Sequence, residues 1–314
     1  MGPFYRPKPW CDTRRPVRPD ARPSLWQAEP MCGRYAASRS ADDLMTEFEV
    51  ERIDAQGAGA VPAGGLPADY NVAPTKMVHA VLQRPPHRGE APVRRLVALR
   101  WGLIPSWAKD PAIGSRMINA RMETVAEKPA YRRAFAARRC LLPADGYYEW
   151  YPTSLRGKGG KPRKQPFFIR PTDGGVLAMA GLYEIWRDQR KDRDDPEAWR
   201  WSCAVLTTTA EDAVGHVHDR MPLLVEPARR QAWLEPADSD ADRLLSLLVP
   251  AAPGRLEAFP VSTRVNDVRH NGPDLVAPLP MEALPMEELP VAELPVAELP
   301  GQQMLDEPAA LDPV

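Results

Sequence analysis

The sequence contains no long apolar stretch and little that would direct it across a membrane. No run of apolar residues approaches the roughly 20 that a membrane-spanning helix requires. The N-terminal segment carries charge but has no apolar core of the kind found in secretory signals. We therefore expect no membrane partner and a cytoplasmic location.

Cysteine and histidine are scarce, with four and five residues respectively. The cysteines, at positions 11, 32, 140 and 203, lie far apart and form no CxxC pair, so we expect free thiols and neither a disulfide framework nor a zinc site. His216 and His218 form a close pair, but no third ligand lies near them in the sequence. We predict no metal and no cofactor.

The net charge of −1 is unevenly distributed. Residues 278–314 hold eight acidic and no basic side chains, whereas residues 1–30 hold six basic and three acidic ones. The difference leaves +4 for residues 31–277. This central part is compatible with a polyanionic partner.

Both ends of the chain have compositions that oppose regular structure. Residues 1–30 contain seven prolines, and residues 278–314 repeat five-residue units such as PVAEL. Proline at this density interrupts both helices and strands. We predict a disordered leader over 1–30, a folded domain over 31–277 and a disordered acidic tail over 278–314.

The sequence of residues 31–277 predicts mainly strands. Segments rich in β-branched and aromatic residues predict strands over 94–104, 138–152, 165–186, 201–208 and 255–262. Shorter patterns predict helices over 40–49, 127–139, 226–234 and 239–248, with Ser40 as the N-cap of the first helix. Residues 153–164, rich in glycine and cations, predict a mobile loop. The expected class is α+β, with one domain built on a mainly antiparallel sheet or barrel and a few short helices.

The stretch MCGRYAAS (31–38) begins where the composition turns globular. Met31 could be an ordinary buried residue. If it is removed, however, Cys32 presents an α-amine and a thiol on neighbouring carbons. The amine titrates near pH 7.7–8.0, so part of it is neutral and can attack an aldehyde. The thiol can then close a five-membered thiazolidine ring on the resulting imine.

Several other side chains could assist such chemistry, although each has an ordinary alternative. Glu149 lies among aromatics in DGYYEW and could transfer protons, or it could be a surface residue on a strand. His218 could act as a proton shuttle. Asn119 and Arg121, in INARMET, could hold a sugar or phosphate, or lie in a turn and on the surface.

Two tryptophans frame the segment WGLIPSW (101–107). Trp101 and Trp107 could each stack on an unpaired base or pack in the core. We expect at least one of them in the core.

Eight motifs in one order resemble the SRAP family, the SOS-response-associated peptidases or abasic-site processing proteins. They are MCGRYA (31–36), YNVAPT (70–75), WGLIPSWAKD (101–110), INARMET (118–124), CLLPADGYYEW (140–150), PFF (166–168), AGLYEIW (180–186) and HDRMP (218–222). The resemblance covers about residues 32–278. It implies a single SRAP-type domain with a positively charged cleft for single-stranded DNA that contains abasic sites.

The resemblance also implies roles for residues. Cys32, as the mature N-terminus, would form a covalent thiazolidine with the ring-opened abasic site, and Asn119 would hold the reacting end. Glu149 would act as acid and base, including in any lyase or autopeptidase reaction, and His218 would assist proton transfer and reversal of the crosslink. The expected DNA-binding or site-supporting residues are Arg34, Asn71, Trp101, Trp107, Arg121 and Arg220. We further expect a monomer, associated with the nucleoid if bacterial; the tail suggests no particular partner.

One departure from the family pattern bears on the activity. The family cysteine directly follows the initiator methionine, but here thirty residues precede Met31. Either translation begins at Met31, or the leader is removed, or the chain as written is inactive; we favour the first.

Three other functions stay open at this point. They are an N-terminal-nucleophile glutamine amidotransferase, a non-covalent single-stranded DNA-binding module, and a general cysteine protease that uses Cys32 or Cys140 with His218.

Overall fold

The computed structural model describes residues 33–85, 89–210, 217–248, 252 and 254–280. The strands in these residues are β1 (Tyr35–Ala37), β2 (Arg52–Ile53), β3 (Asp69–Val72), β4 (Met77–Arg84), β5 (Val93–Trp101), β6 (Asn119–Arg121), β7 (Arg139–Ala144), β8 (Gly146–Arg156), β9 (Pro162–Pro171), β10 (Leu177–Arg187), β11 (Trp199–Thr209), β12 (Arg220–Pro222) and β13 (Leu256–Pro260). The α-helices are α1 (Ala41–Glu47), α2 (Arg132–Ala137), α3 (Pro227–Leu234) and α4 (Ala241–Ser246).

The strands form two layers. One is a five-stranded antiparallel sheet with the order β13-β9-β8-β1-β3. The other has the order β12-β11-β10-β7-β4-β5-β2, and a parallel pairing between β11 and β5 closes β4, β5, β11, β10 and β7 into a barrel. The short strand β6 joins the barrel beside β11.

One apolar cluster joins the sheet to the barrel. Tyr147 and Phe167 from the sheet pack in one cluster with Leu99, Leu142 and Val205 from the barrel. A second cluster covers the outside of the barrel with side chains of the helices, including Phe135 and Trp233. Burial of these side chains is the main favourable contribution to folding.

These observations confirm the α+β class and most of the predicted elements. Ser40 caps α1 in a capping box with Asp43, as expected. The predicted loop over 153–164 is wrong, because β8 continues to Arg156 and β9 begins at Pro162, leaving a tight turn between them. The backbone ladder between the two strands extends through residues of low strand propensity, with one irregularity between Pro152 and Arg156.

The folded part continues to Leu279, whose N–H donates to the carbonyl of Pro260 at 2.9 Å. The predicted leader (1–30) and residues 281–314 of the predicted tail lie outside the described residues. Within the described ranges, no helix has the length and apolar character needed to cross a membrane.

Candidate active site

The start of β1 runs alongside β8. Tyr35 pairs with Tyr147, and the carbonyl of Arg34 accepts the N–H of Tyr148 at 3.0 Å. Because antiparallel strands keep their register, Gly33 lies at the level of Glu149. The carboxyl side chain of Glu149 is almost fully buried, with the residue 3% exposed. Cys32, which is bonded to Gly33, lies outside the described residues.

Glu149 is buried because of where it falls in β8. Alternate residues of a strand share one face, so Glu149 lies on the same face as Tyr147 and Tyr151. Tyr147 belongs to the cluster between sheet and barrel, and Tyr151 packs against that cluster while remaining partly exposed. Glu149 therefore lies at the rim of the apolar core, between a buried and a partly exposed tyrosine.

Trp101 connects β1 to β6. Its ring meets Tyr35 edge-on with 5.1 Å between centroids, and its Nε1 donates to the carbonyl of Ile118 at 2.9 Å. Ile118 directly precedes Asn119. Trp101 is 1% exposed, so it belongs to the core and has no surface on which a base could stack. It fixes the position of two strands that carry candidate residues.

Arg34 and Asn71 form one internal network. The Arg34 Nη1 donates to Asn71 Oδ1 at 2.6 Å and to the carbonyl of Val265 at 2.9 Å. Asn71 is fully buried, and its Nδ2 lies 3.0–3.2 Å from the carbonyls of Val265, Asp267 and His270. These contacts hold the segment 265–270 against β1 and β3. The arrangement leaves Asn71 no exposed surface for DNA.

Asn119 and Arg121 lie at the two ends of β6. Asn119 pairs with Val205 and Arg121 with Thr207 of β11. The carbonyl of Asn119 accepts the hydroxyl of Tyr131 at 3.0 Å, which anchors β6 to the segment before α2. The side chain of Arg121 is exposed to solvent.

Arg220 binds a residue that the sequence analysis did not select. Its guanidinium contacts the carboxylate of Glu123 with both terminal nitrogens, at 2.5 and 3.1 Å. It also donates to the carbonyl of Thr207 at 2.7 Å. The hydrogen bond from Arg220 is the main cause of a lowered pKa of Glu123. Glu123 lies inside INARMET, but its partner is 97 residues away, so no local signal indicated the pair.

The imidazole of His218 is partly exposed, with 25% of its side chain accessible. Its Nδ1 lies 3.1 Å from the N–H of Arg220 and 3.0 Å from Oδ1 of Asp219. The amide favours the tautomer with hydrogen on Nε2, and the carboxylate favours hydrogen on Nδ1. The ring can therefore present Nε2 as a donor or as an acceptor, which suits a proton shuttle.

The other tryptophan of WGLIPSW is the exposed one. Trp107 is 57% exposed, among the most exposed large hydrophobic residues in the described part of the chain. With Trp101 in the core, the pair divides as expected between packing and surface. Trp107 is thus the one of the two that is free to stack on a base.

Two of the cysteines are buried free thiols. Cys140 and Cys203 are both fully buried, and burial raises the pKa of each thiol. A thiol must ionise and be reachable to act as a nucleophile. Cys140 is therefore unsuited to the protease mechanism that would pair it with His218.

Among the described residues, no group of three or more His, Cys, Asp or Glu side chains is placed to hold a metal ion. His216, the second histidine of the sequence pair, lies outside them.

The sheet-and-barrel fold occurs in solved structures. A protein from Bacteroides thetaiotaomicron aligns with a TM-score of 0.61 at 23% identity, covering 79% of this chain and 100% of its own. A protein from Bordetella bronchiseptica aligns with a TM-score of 0.54 at 24% identity over 74% of this chain. At this identity the likeness concerns the fold alone.

The family follows from the sequence. Residues 31–268 match the model of the SOS response associated peptidase (SRAP) family. The protein named abasic site processing protein YoqW of Bacillus subtilis is 36% identical over 248 residues, covering 78% of this chain and 99% of that protein. Abasic site processing protein YedK of Escherichia coli is 31% identical, covering 79% and 100%. The chain belongs to the SRAP family.

Proposed function

We propose that this chain processes abasic sites in single-stranded DNA by forming a covalent crosslink through Cys32. The observation that carries the proposal is the match to relatives named abasic site processing proteins over nearly their whole length. The matched region begins at Met31, directly before the cysteine that the chemistry requires.

The reaction starts when Cys32 is the first residue of the chain. Its neutral amine attacks the aldehyde carbon of the ring-opened sugar, and loss of water gives an imine. The thiol sulfur then adds to the imine carbon while its proton moves to nitrogen, which closes the thiazolidine. One C–N and one C–S bond form, one water leaves, and no oxidant, metal or cofactor is consumed.

The surrounding side chains suit this sequence of proton transfers. Glu149 lies at the level of Gly33 and would accept and return the protons of imine formation. Asn119 would hold the sugar, and His218, through Nε2, would protonate the sugar oxygen and assist reversal or strand cleavage. The buried contacts of Asn71, Trp101 and Arg220 support site-positioning roles. Arg121 and Trp107, both exposed, are the members of the predicted set best suited to contact DNA.

The test uses protein that begins at Cys32 and a single-stranded oligonucleotide with one abasic site. We expect a species that survives denaturation, with a mass equal to protein plus oligonucleotide minus one water. Cys32→Ala should abolish this species. Cys32→Ser keeps the amine but not the thiol, so it should give a complex that survives only after borohydride reduction of the imine.

Glu149→Gln should slow crosslink formation without weakening DNA binding. The matched control is Glu184→Gln, because Glu184 is also a buried strand glutamate but pairs with Arg138 at 2.8 Å, outside the proposed site. Unchanged DNA retention with no denaturation-resistant species would favour the non-covalent binding module. Glutaminase activity instead of crosslinking would favour the amidotransferase.

A further inference from the structure

The hairpin formed by residues 151–165, here called the basic hairpin, extends β8, which carries Glu149, and its neighbour β9. We propose that it binds the phosphates of the DNA strand on one side of the reacting nucleotide. The proposal rests on the proposed function, since it assumes that DNA reaches Glu149.

The basic hairpin has charges of one sign only. Its charged residues are Arg156, Lys158, Lys161, Arg163 and Lys164, and it contains no Asp or Glu. Arg156, Lys161 and Arg163 are exposed. None of these three forms an ion pair with a carboxylate of the described residues. Such a surface attracts a polyanion.

The register of the hairpin orients one cation toward the proposed site. Glu149 pairs with Phe167 and Tyr151 with Gln165, and the hydroxyl of Thr153 donates to the carbonyl of Arg163 at 3.0 Å. Opposite residues of an antiparallel pair share a face, so Phe167 lies on the face of Glu149. Gln165 and Arg163 follow Phe167 at alternate positions of β9 and lie on the same face. Arg163 therefore lies on the face that carries Glu149, about 13 Å further along the strands at roughly 3.3 Å per residue.

This placement puts the whole hairpin on one side of Glu149 along the strands. The strands lead outward from Glu149 in a single direction, so a DNA strand with its reacting sugar at Glu149 would pass the hairpin on its 5′ side or its 3′ side, but not on both. Exposed cations elsewhere, such as Arg52 on β2 and Arg193 between β10 and β11, lie on elements that carry none of the proposed site residues.

The experiment measures equilibrium DNA binding by protein that begins at residue 32, keeps the chain to Val314 and carries Cys32→Ala, so that no thiazolidine contributes. Three abasic oligonucleotides are compared: one with flanks on both sides, one with a 5′ flank only and one with a 3′ flank only. The hairpin variant is Lys161→Gln with Arg163→Gln. The matched control, Arg52→Gln with Arg193→Gln, removes the same charge from the other elements.

We expect the hairpin variant to weaken binding of the two-sided oligonucleotide and of just one of the one-sided ones. Each lost phosphate contact should cost about fivefold at 0.1 M salt, and each should lower the salt slope by about 0.7. The control should change affinity less than twofold, and thermal unfolding should confirm that both variants fold.

Equal loss with both one-sided oligonucleotides would overturn the proposal, because it would indicate a diffuse charge effect. Unchanged binding to all three would also overturn it. Tighter binding to all three would overturn it as well and would indicate a competing occupant of the hairpin, such as the acidic residues of 281–314. The crosslinking assay of the proposed function is separate. If the hairpin variant lost affinity for only one flank while protein that begins at Cys32 formed no crosslink, the hairpin proposal would hold and the thiazolidine proposal would be wrong.

Discussion

Two sets of polar side chains in this protein have opposite environments. Arg34, Asn71 and Arg220 are buried or half-buried and contact carbonyl or carboxylate oxygens of the protein itself. Arg121 is exposed to solvent, and so are Arg156, Lys161 and Arg163 of the basic hairpin. The sequence motifs treat Arg34, Asn71 and Arg220 in the same way as Arg121, as candidates for DNA contact.

The difference indicates two roles around the candidate site. We call the buried or half-buried side chains the inner set and the exposed ones the outer set. The inner set joins segments that are far apart in the chain and thereby holds the strands that carry Asn119 and Glu149 in place. The outer set is available to phosphates. Substitutions in the inner set should therefore lower the free energy of unfolding, and substitutions in the outer set should weaken DNA binding.

The largest expected effect is that of Asn71→Ala. The change removes the donor to three carbonyls and leaves buried polar groups unpaired, so we expect a loss of about 4 kcal/mol in the free energy of unfolding. Urea denaturation measures it. Asn271→Ala is the control, since Asn271 also bonds backbone groups but is exposed, and it should cost about 1 kcal/mol. Equal losses would contradict the assignment of Asn71 to the interior.

Arg220→Gln should be the next most damaging change. It breaks the two-nitrogen contact with Glu123 and the bond to the Thr207 carbonyl. We expect a cost of about 2 kcal/mol, because Arg220 is buried whereas the carboxylate of Glu123 is partly exposed and can be solvated. The pKa of Glu123 should also rise toward its ordinary value, which carboxyl NMR titration can follow. If stability were unchanged while DNA affinity fell, Arg220 would belong to the outer set.

A buried histidine, His79, should make the free energy of unfolding depend on pH. Burial lowers the pKa of His79 from 6.5 to about 4, and its Nε2 accepts the N–H of Leu66 at 3.1 Å. The imidazole of His79 binds a proton more readily in the unfolded chain than in the folded one. The neutral ring therefore contributes its full stabilisation of the fold above pH 6.5, and this contribution is lost as the pH falls toward 4. Between pH 7 and pH 5 we expect a loss of about 2 kcal/mol. His79→Gln keeps an acceptor without titrating, and it should lack this part of the pH dependence in urea denaturation.

Arg121→Gln should have the smallest effect, and on binding alone. We expect affinity for single-stranded abasic DNA to fall about fivefold at 0.1 M salt, with the salt slope reduced by about 0.7. The free energy of unfolding should not change, because the side chain is exposed. Fluorescence anisotropy across a salt series measures the binding. A marked loss of stability would move Arg121 into the inner set.

Local sequence signals predicted much of the fold. Runs of aromatic and β-branched residues indicated β5, β7 to β11 and β13, and Ser40 marked the start of α1. Strands of two to four residues, such as β1, β6 and β12, are too short to show a period, and they exist because longer strands offer them a ladder. β4 was missed because its central residues are buried on both faces, so its sequence lacks the alternation of apolar and polar residues that marks a half-exposed strand.

The candidate site was less predictable, for a physical reason. A motif does not distinguish an arginine that bonds to other segments of the protein from one that faces solvent. The burial of an arginine side chain depends on partners that lie far away in the chain. Arg34 and Val265 are 231 residues apart, and Arg220 and Glu123 are 97 apart. The basic hairpin was identified as cationic, but its strand structure depends on pairing that glycine and lysine do not favour.

The central claim is that Cys32 works as a free N-terminal residue beside Glu149. The most direct test is N-terminal sequencing of the protein purified from its own cells in active form. We predict that the first residue is Cys32 with an unblocked amine. Active protein that still begins at Met1, or that retains Met31, would contradict the claim, since the nitrogen of Cys32 would then be an amide and could form no thiazolidine.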